Sequence, residues 1–340
     1  MDRFARPVFT VAIPTYNRAS THLPAAIEAV LNQTFGDFEL FISDNGSTDG
    51  TEQYVRSLAE PRIRYVRRPR TIPAGEHFSI VASESIGDWL VLHQDDDLLN
   101  HDFLTRAHTA VQANPACNVY AAPIWRQAPN HGYHARLMRP QHGYRDPLVL
   151  NDGIAVFEGN YAAIQFFDPI RHFVHPTIAI RRSALDAIGG YDAGTTYQSD
   201  LVTQARVLFD SKLLYDSRPG GISHVHATNF MRAQPRSFRK QFFRTSYLQL
   251  IRAFEERNID WRALLTDYLG ALSTQEILDC VKEWTYYRTP HELQRLGFSA
   301  LKKSWGGTNL GLARKCLSRL GTRNLARFAL SSIADGRRGH

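Results

Sequence analysis

The stretch WLVLHQDDD, residues 89–97, decides the fold class, because an apolar strand runs directly into three carboxylates. Four consecutive apolar side chains at 89–92 are typical of a strand that is buried on both faces of a parallel sheet. Asp95, Asp96 and Asp97 then stand at the carboxyl end of that strand, where open α/β sheets bind their ligands. The stretch therefore predicts a parallel α/β sheet with a polar site at this strand end.

Strands and helices alternate on the N-terminal side of this stretch. Strands are predicted at 8–13, 38–43 and 63–66, and helices at 20–33, 51–58 and 77–85. Polar loops at 14–18 and 44–50 end two of the strands. Because the carboxyl ends of parallel strands meet at one edge of a sheet, we expect both loops and the three aspartates to line one site.

Three consecutive carboxylates repel one another, and a bound cation relieves that repulsion. Mg²⁺ and Mn²⁺ take one or two protein carboxylates and complete their shell with water and phosphate oxygens, so the run predicts a divalent metal beside a diphosphate. The alternative is that Asp95, Asp96 and Asp97 form the N-terminus of a helix over 98–111, where aspartate is also favoured. Three aspartates exceed what helix capping needs.

Composition narrows the class of protein. The chain has 340 residues, of which 43% are hydrophobic and 21% charged, as expected of a globular protein. Cys117, Cys280 and Cys316 lack the paired spacing of zinc sites and disulfide frameworks, so we expect a reducing, cytoplasmic setting. No stretch approaches the roughly 20 apolar residues of a membrane-spanning helix, so any membrane contact is expected to be peripheral.

The second half of the chain is less regular. Residues 121–172 are rich in His, Tyr, Pro and Asn, a strand and a helix are predicted again at 177–180 and 200–210, and helices follow from Arg236. From Arg236 onward there are 19 Lys and Arg against 9 Asp and Glu, whereas the whole chain has 40 and 33, so the net charge of +7 arises in this last third. Such a surplus attracts polyanions at long range without choosing among them.

Three motifs, in this order and spacing, resemble family 2 glycosyltransferases: TVAIPTYNR at 10–18, SDNGSTDGT at 43–51 and HQDDD at 93–97. The resemblance covers residues 8–230. It implies a GT-A fold, a Rossmann-like and mostly parallel sheet flanked by helices, here followed by a C-terminal helical extension. We therefore expect a nucleotide-sugar-binding half (1–120), an acceptor-binding half (121–235) and, outside the resemblance, the basic helical region (236–340).

The activity that the resemblance implies is metal-dependent, inverting transfer of a sugar from a nucleotide-diphosphate sugar. UDP is the default nucleotide, Mn²⁺ or Mg²⁺ the cofactor, and a saccharide or lipid-linked saccharide the acceptor. The expected role is the synthesis of polysaccharide, glycolipid or cell-surface glycan.

The resemblance also assigns the donor site. The residues expected to line the nucleotide pocket are Pro14, Thr15, Tyr16, Asn17, Arg18, Asp44, Asp95 and Asp96. Asp44 is expected to contact the base or ribose, Tyr16 to offer a stacking face and Arg18 to approach phosphate. In any other protein, residues 44–50 would make an ordinary turn with Tyr16 packed beside it.

Metal binding is assigned to Asp96, Asp97 and His226. Either Gln94 or Asp95 aligns with the first position of the family's D-x-D pattern, so Asp96 is the first choice and Asp97 the second. His226 aligns better than His224 with the family's histidine, although a lone histidine is more often structural.

Asp200 is the expected catalytic base. IGGYD at 188–192 followed by QSDL at 198–201 resembles the family segment that ends in an acidic pair, and an inverting transfer needs a carboxylate that takes the acceptor hydroxyl proton. Ser199 stands where the family often has glutamate, and Asp200 could instead cap the helix that follows. His77 stands where related sequences often have asparagine, so no donor contact is assigned to it.

The remaining segments leave alternatives open. The aromatic residues of 121–172, among them Trp125, Tyr133, Tyr144 and Tyr161, suit either stacking on an acceptor sugar or ordinary packing, and His175 is expected to border the same cleft. Basic amphipathic segments at 238–254 and 312–328 predict either attachment to an anionic membrane surface or a helical cap on the catalytic domain.

Two other functions are alternatives to sugar transfer. A sugar-phosphate nucleotidyltransferase often carries a Gly-rich, Lys-bearing phosphate loop near its N-terminus, which is not seen here. A non-catalytic nucleic-acid-binding protein would need neither the three aspartates nor Asp200, so no nucleic-acid partner is expected.

Overall fold

The computed structural model describes residues 6–127, 133–134, 148–149, 153–169, 175–191, 199–224, 226 and 233–304. The strands are β1 (Phe9–Thr15), β2 (Phe38–Asp44), β3 (Ile63–Arg67), β4 (Trp89–Leu92), β5 (Asp97–Leu99), β6 (Val119–Ala121), β7 (Ile124–Gln127), β8 (Tyr133–His134), β9 (Leu148–Val149), β10 (Ile154–Glu158), β11 (Ile178–Arg181), β12 (Lys212–Asp216) and β13 (Gly221–His224).

The helices before the C-terminal region are α1 (Leu23–Leu31), α2 (Thr51–Ser57), α3 (Ala74–Glu84), α4 (Phe103–Ala113), α5 (Gly159–Ala163), α6 (Arg182–Ala187) and α7 (Ser199–Phe209). The C-terminal helices are α8 (Arg236–Glu256), α9 (Trp261–Gly270), α10 (Thr274–Tyr286) and α11 (His291–Ser304). Two 3₁₀ turns lie at Ile164–Phe167 and His175–Thr177. None of the helices described is both long and apolar enough to cross a membrane.

Two sheets organise the described strands. The larger has the order β3-β2-β1-β4-β11-β6-β12-β10-β9, and the smaller has the order β5-β13-β7-β8. Strands β1 to β4 are mutually parallel, and β11 enters antiparallel between β4 and β6. This mostly parallel sheet with helices on both faces is the architecture that the alternating sequence pattern predicts.

The strand register brings the polar loops to one edge. In the parallel ladder of β1 and β2, Thr15 is the partner of Asp44. In the ladder of β1 and β4, Ala12 is the partner of Leu92. Thr15 and Asp95 lie three residues beyond Ala12 and Leu92, respectively, so they stand at the same level of the sheet. The ends of β1, β2 and β4 therefore form one continuous rim.

The core lies on both faces of the large sheet, because successive strand residues point to opposite sides. Val11 and Ile13 pack in the cluster that contains α1 and α4, whereas Ala12 packs in the cluster on the other face. The second cluster continues into the C-terminal helices, where Trp261 and Trp284 are fully buried.

Helix α8 packs part of its apolar face against the rest of the fold. Tyr247, Leu250 and Phe254 on its apolar face are buried in the same core cluster as Phe167. The protein therefore covers the C-terminal half of this face, as expected of a helical cap, whereas Phe238 and Phe242 nearer the start of α8 are half-buried. The second amphipathic segment, at 312–328, lies outside the described residues.

The helix predicted over 98–111 is wrong in its first part. Asp97–Leu99 form strand β5, and helix α4 begins only at Phe103. Strand β5 pairs with β13, a partner far along the chain that local periodicity does not reveal. The three aspartates are thus not a helix N-terminus, which excludes the capping alternative for them.

Candidate functional site

The first part of the site is the contact between the ends of β1 and β4. The Thr15 hydroxyl donates a hydrogen bond of 2.7 Å to Asp95 Oδ2, and Arg18 Nε lies 4.0 Å from Asp95 Oδ1. Burial and the charge of Asp96 raise the pKa of Asp95 to about 6, although the Thr15 hydroxyl, the Arg18 charge and the Tyr16 N–H act in the opposite sense. A carboxylate in this state is stabilised by an added cation.

The loop after β1 is joined to the loop after β2. Asn17 adopts a left-handed backbone conformation with φ 54°, its N–H donates to Ser47 Oγ over 2.8 Å, and its Oδ1 accepts from the Thr48 N–H over 2.8 Å. Asparagine tolerates this conformation better than most residues. Beside it, Tyr16 is 45% exposed at the rim.

Asp44 lies in the wall between these loops. Its Oδ1 accepts from the Ser47 N–H over 2.7 Å, and its Oδ2 accepts from the Tyr65 hydroxyl over 2.6 Å. Burial and the hydrogen bond to Asp44 raise the pKa of Tyr65 above its ordinary value, so the phenol stays protonated and donating. Asp44 is fully buried, and in the structure it supports the loop; its contact with a base or ribose stays a prediction.

The aspartate run meets β13 and the residue just beyond it. Asp96 Oδ2 lies 3.0 Å from His226 Nε2, and Asp97 Oδ1 accepts from the His224 N–H over 3.1 Å. Gly221 permits this approach, because a Cβ there would stand 2.4 Å from the Leu98 carbonyl oxygen. The structure therefore brings together two of the residues that were predicted to bind metal, Asp96 and His226, while the third, Asp97, contacts the neighbouring His224 backbone.

A second histidine adjoins His226. The ring of His22 stacks on that of His226 with centroids 4.2 Å apart and an interplanar angle of 21°, and lies 6.4 Å from the ring of His224. Burial, followed by the proximity of His226 and Arg18, lowers the pKa of His22 below its ordinary value, which favours the neutral form of its ring.

These side chains fit a divalent cation in chemistry. Asp96 and Asp97 supply carboxylate oxygens, His226 supplies an imidazole nitrogen, and Asp95 adds a buried negative charge nearby. Within the described ranges, however, no three His, Cys, Asp or Glu side chains already form a ligand cluster. A cation would find its remaining ligands in water or in the diphosphate, as Mg²⁺ commonly does.

Asp200 lies in the first turn of α7, one residue after the helix begins. This position is inside the helix, so the residue is not the N-cap that the alternative required. Burial, followed by the charge of Asp200, raises the pKa of Tyr191, whose carbonyl accepts a hydrogen bond of 2.7 Å from the Ser79 hydroxyl on α3. Residues 192–198, which join the two parts of the motif and include Asp192 and Gln198, lie outside the described residues.

Two histidines close to the site are buried and neutral. His77 Nε2 lies 2.9 Å from Ser43 Oγ, and His93 Nε2 lies 3.0 Å from the Asp97 carbonyl oxygen. Burial lowers the pKa of each to about 4. His77 therefore supports the end of β2 through its contact with Ser43.

The acceptor side is described only in part. Trp125 lies on β7 and Tyr161 on α5, while Tyr133 begins β8, His175 begins a 3₁₀ turn, and Tyr144 lies outside the described residues. Sequence reasoning did not single out His22, Ser47 or Tyr65 as part of the site. Ser47 could have been found in its motif, whereas nothing near His22 in the sequence marks it as a neighbour of His226.

Comparison with known proteins supports the same assignment. The family profile described as Glycosyl transferase family 2 matches residues 10–189, slightly more than half of the chain. A PGL/p-HBAD biosynthesis glycosyltransferase of Mycobacterium bovis is 33% identical over 126 residues, covering 36% of this chain and 49% of that protein. An uncharacterized glycosyltransferase of Haemophilus influenzae is 27% identical over 149 residues, covering 43% and 50%. The matches thus span about half the length of these relatives.

Solved structures share the fold at low sequence identity. S. aureus TarS 1–349 in complex with UDP-GlcNAc has a TM-score of 0.56 at 13% identity, covering 88% of this chain and 92% of that one. Mannosyltransferase PcManGT from Pyrobaculum calidifontis, in complex with GDP-Man and Mn²⁺, has a TM-score of 0.51 at 18% identity, covering 89% and 88%. The expected GT-A fold is confirmed. On its motifs, its fold and the family match, the chain belongs to glycosyl transferase family 2.

Proposed function

We propose that this protein transfers a sugar from a nucleotide-diphosphate sugar, with UDP as the first nucleotide to test, to a saccharide or lipid-linked saccharide acceptor. The observation that carries the proposal is the closure of His226 on Asp96, 3.0 Å apart, beside an Asp95 that Thr15 and Arg18 hold. Solved relatives of the same fold bind UDP-GlcNAc and GDP-Man, which supports a nucleotide-sugar donor without choosing one.

In the proposed donor complex the nucleotide lies along the rim formed by β1, β2 and β4. Tyr16, which is exposed at the rim, offers its ring to the base, and Arg18 lies close enough to Asp95 to face the diphosphate from the same side. The linked loops at Asn17 and Ser47 hold this wall before the donor arrives, which lowers the entropic cost of binding.

Asp96, Asp97 and His226 are the proposed holders of Mn²⁺ or Mg²⁺. When bound there, the cation would stabilise the negative charge that grows on the departing diphosphate. The Mn²⁺ in the mannosyltransferase structure supports this choice of cofactor. Asp200 is the proposed base, accepting the proton of the acceptor hydroxyl as the oxygen attacks the sugar carbon with inversion.

The role in polysaccharide, glycolipid or cell-surface glycan synthesis stays a prediction, as does attachment to an anionic membrane. A relative named as a PGL/p-HBAD biosynthesis glycosyltransferase supports a biosynthetic role for the transfer. Family membership argues against the nucleotidyltransferase and nucleic-acid-binding alternatives.

Calorimetric titration tests the donor site. UDP, dTDP, GDP and CDP are titrated into the protein with and without Mn²⁺, and the best ligand is repeated with Asp96→Asn. We expect metal-dependent binding of one nucleotide that the variant loses, because the substitution removes a charged metal ligand. Asp37→Asn, on an exposed carboxylate at the opposite end of β2, is the matched control. Failure of the folded protein to bind any nucleotide would overturn the proposal.

Asp200→Asn tests the proposed base separately. The substitution keeps size and hydrogen-bonding capacity but cannot take a proton, so we expect kcat to fall by roughly 10²- to 10⁴-fold while the affinity for the nucleotide is unchanged. Transfer is measured by nucleotide release with acceptor present. A kcat close to that of the unsubstituted protein would remove Asp200 from the mechanism.

A further inference from the structure

His22 is a site residue to which neither the motifs nor the proposed reaction gives a role. It occupies the N-cap of α1, with φ −103° and ψ −31°, and its side chain makes no capping hydrogen bond to the helix. Its ring instead lies nearly parallel to that of His226, with the two centroids 4.2 Å apart. The side chain is therefore engaged with the site.

His226 lies outside the regular hydrogen bonding of the strand that precedes it. It stands two residues beyond the end of β13, so the backbone ladder of that strand, whose last pair joins His224 to Gln127, does not reach it. Even so, its Nε2 is directed at Asp96 Oδ2 over 3.0 Å. A flat ring held against one face loses its freedom to rotate out of that direction.

Stacking and metal binding use different parts of an imidazole. Stacking acts on the face of the ring, whereas a ligand bond uses the lone pair of a nitrogen in the ring plane. His22 can thus hold the face of His226 while Nε2 stays directed toward Asp96. Partners that orient metal ligands in this way, usually through hydrogen bonds, typically change metal affinity by about 10- to 100-fold when they are removed.

We propose that His22 is a positioning residue, whose ring face orients His226 for the divalent cation that Asp96 shares. The proposal rests on the proposed function, since it concerns the same cation. One determinant of metal affinity, His22, then lies at the start of α1, and the other, His226, lies on the segment after β13. The two approach each other only in the folded protein.

The test compares two substitutions of similar volume. His22→Phe keeps a flat aromatic face, while His22→Leu fills the space without one. Mn²⁺ binding in the presence of UDP is measured by the loss of the free-ion signal in electron paramagnetic resonance, which requires no turnover. We expect His22→Leu to weaken Mn²⁺ binding by about 10-fold and His22→Phe to stay within about threefold of the unsubstituted protein.

His108→Ala is the matched control, because His108 also packs its ring on an aromatic partner. Its centroid lies 4.6 Å from that of Phe35, which adjoins Phe9 at the opposite end of β1 from Thr15. We expect this variant to bind Mn²⁺ normally. Thermal unfolding of all three variants, followed by circular dichroism, establishes that each is folded at the assay temperature.

The outcomes separate the two proposals. Normal Mn²⁺ binding by both His22 variants, or equal weakening in both, would overturn the stacking role while leaving the donor site in place. Absence of Mn²⁺ binding by the unsubstituted protein with every nucleotide would overturn the proposed function, and this inference with it. Weakening confined to His22→Leu supports the inference.

Discussion

His77 shows how a single buried side chain links the rim of the site to the stability of the fold. It lies beneath the end of β2, next to Ser43, and burial lowers its pKa to about 4. In the unfolded chain the His77 side chain binds a proton near pH 6.5, whereas in the folded protein it does so only near pH 4. Between these values the unfolded state holds more protons, so the free energy of unfolding rises with pH.

His77→Asn removes this titration while keeping a polar group beside Ser43. We expect the unsubstituted protein to lose stability as the pH falls from about 6.5 to 4, and the variant to lose up to about 3 kcal/mol less over that range. The contribution of His93 remains in both proteins. Urea unfolding at several pH values measures how the free energy of unfolding depends on pH. His101→Asn, at an exposed position, is the control. If the free energy of unfolding depends on pH identically in His77→Asn and the unsubstituted protein, His77 does not have this role.

At the residue scale, the side chains that follow a strand end could be placed from the sequence. Asp95 and Asp96 directly follow an apolar strand, and the structure brings Thr15 to the first and His226 to the second. The stacking of His22 on His226 could not be predicted, because the two residues are far apart in the chain and neither lies in a periodic pattern. The internal bonding of Asp44 was likewise invisible, since its donor Tyr65 comes from the neighbouring strand.

At the scale of elements, the pairing of β5 with β13 shapes the metal side of the site. Strand β13 carries His224 next to Asp97, and Gly221 at its start lies against the carbonyl of Leu98. The strands β1 to β4 were predicted to within one or two residues because each has a local apolar pattern. Strand β5 was not, because it exists only through this long-range partner.

Gly221→Ala tests that pairing. The added methyl group would stand 2.4 Å from the Leu98 oxygen, so the two strands must separate. We expect a loss of roughly 1–3 kcal/mol in the free energy of unfolding, together with weaker Mn²⁺ binding, because Asp97 and His224 move apart. Gly36→Ala, where a Cβ meets no atom within 4 Å, should change neither quantity. Unaltered stability and Mn²⁺ affinity in Gly221→Ala would refute this explanation.

For the whole molecule, the C-terminal helices share a core with the sheet. The Tyr268 hydroxyl on α9 donates a hydrogen bond of 2.8 Å to the buried Asp168, and Trp284 Nε1 on α10 donates one of 2.9 Å to the Phe167 carbonyl oxygen. These contacts join α9 and α10 to the segment between α5 and β11. A basic composition alone did not reveal that this region is also part of the fold's interior.

Tyr268→Phe is therefore expected to destabilise the whole described fold. Loss of a hydrogen bond to a charged group costs roughly 1.5–3 kcal/mol, and both circular dichroism and tryptophan fluorescence should report one shared, shifted unfolding transition. Tyr54→Phe is the control, since the Tyr54 hydroxyl makes no hydrogen bond within the described part of the chain. Two separate transitions, with only one shifted, would indicate that the helices unfold independently.

Asp96 and His226 are proposed to hold a divalent cation jointly at the donor site. Anomalous scattering from Mn²⁺ in crystals grown with Mn²⁺ and UDP tests it most directly. We expect one strong anomalous peak beside the diphosphate, at about 2.0–2.3 Å from Asp96 Oδ2 and His226 Nε2. UDP bound along the rim with no Mn²⁺ at these two side chains, or Mn²⁺ and UDP bound elsewhere, would contradict it.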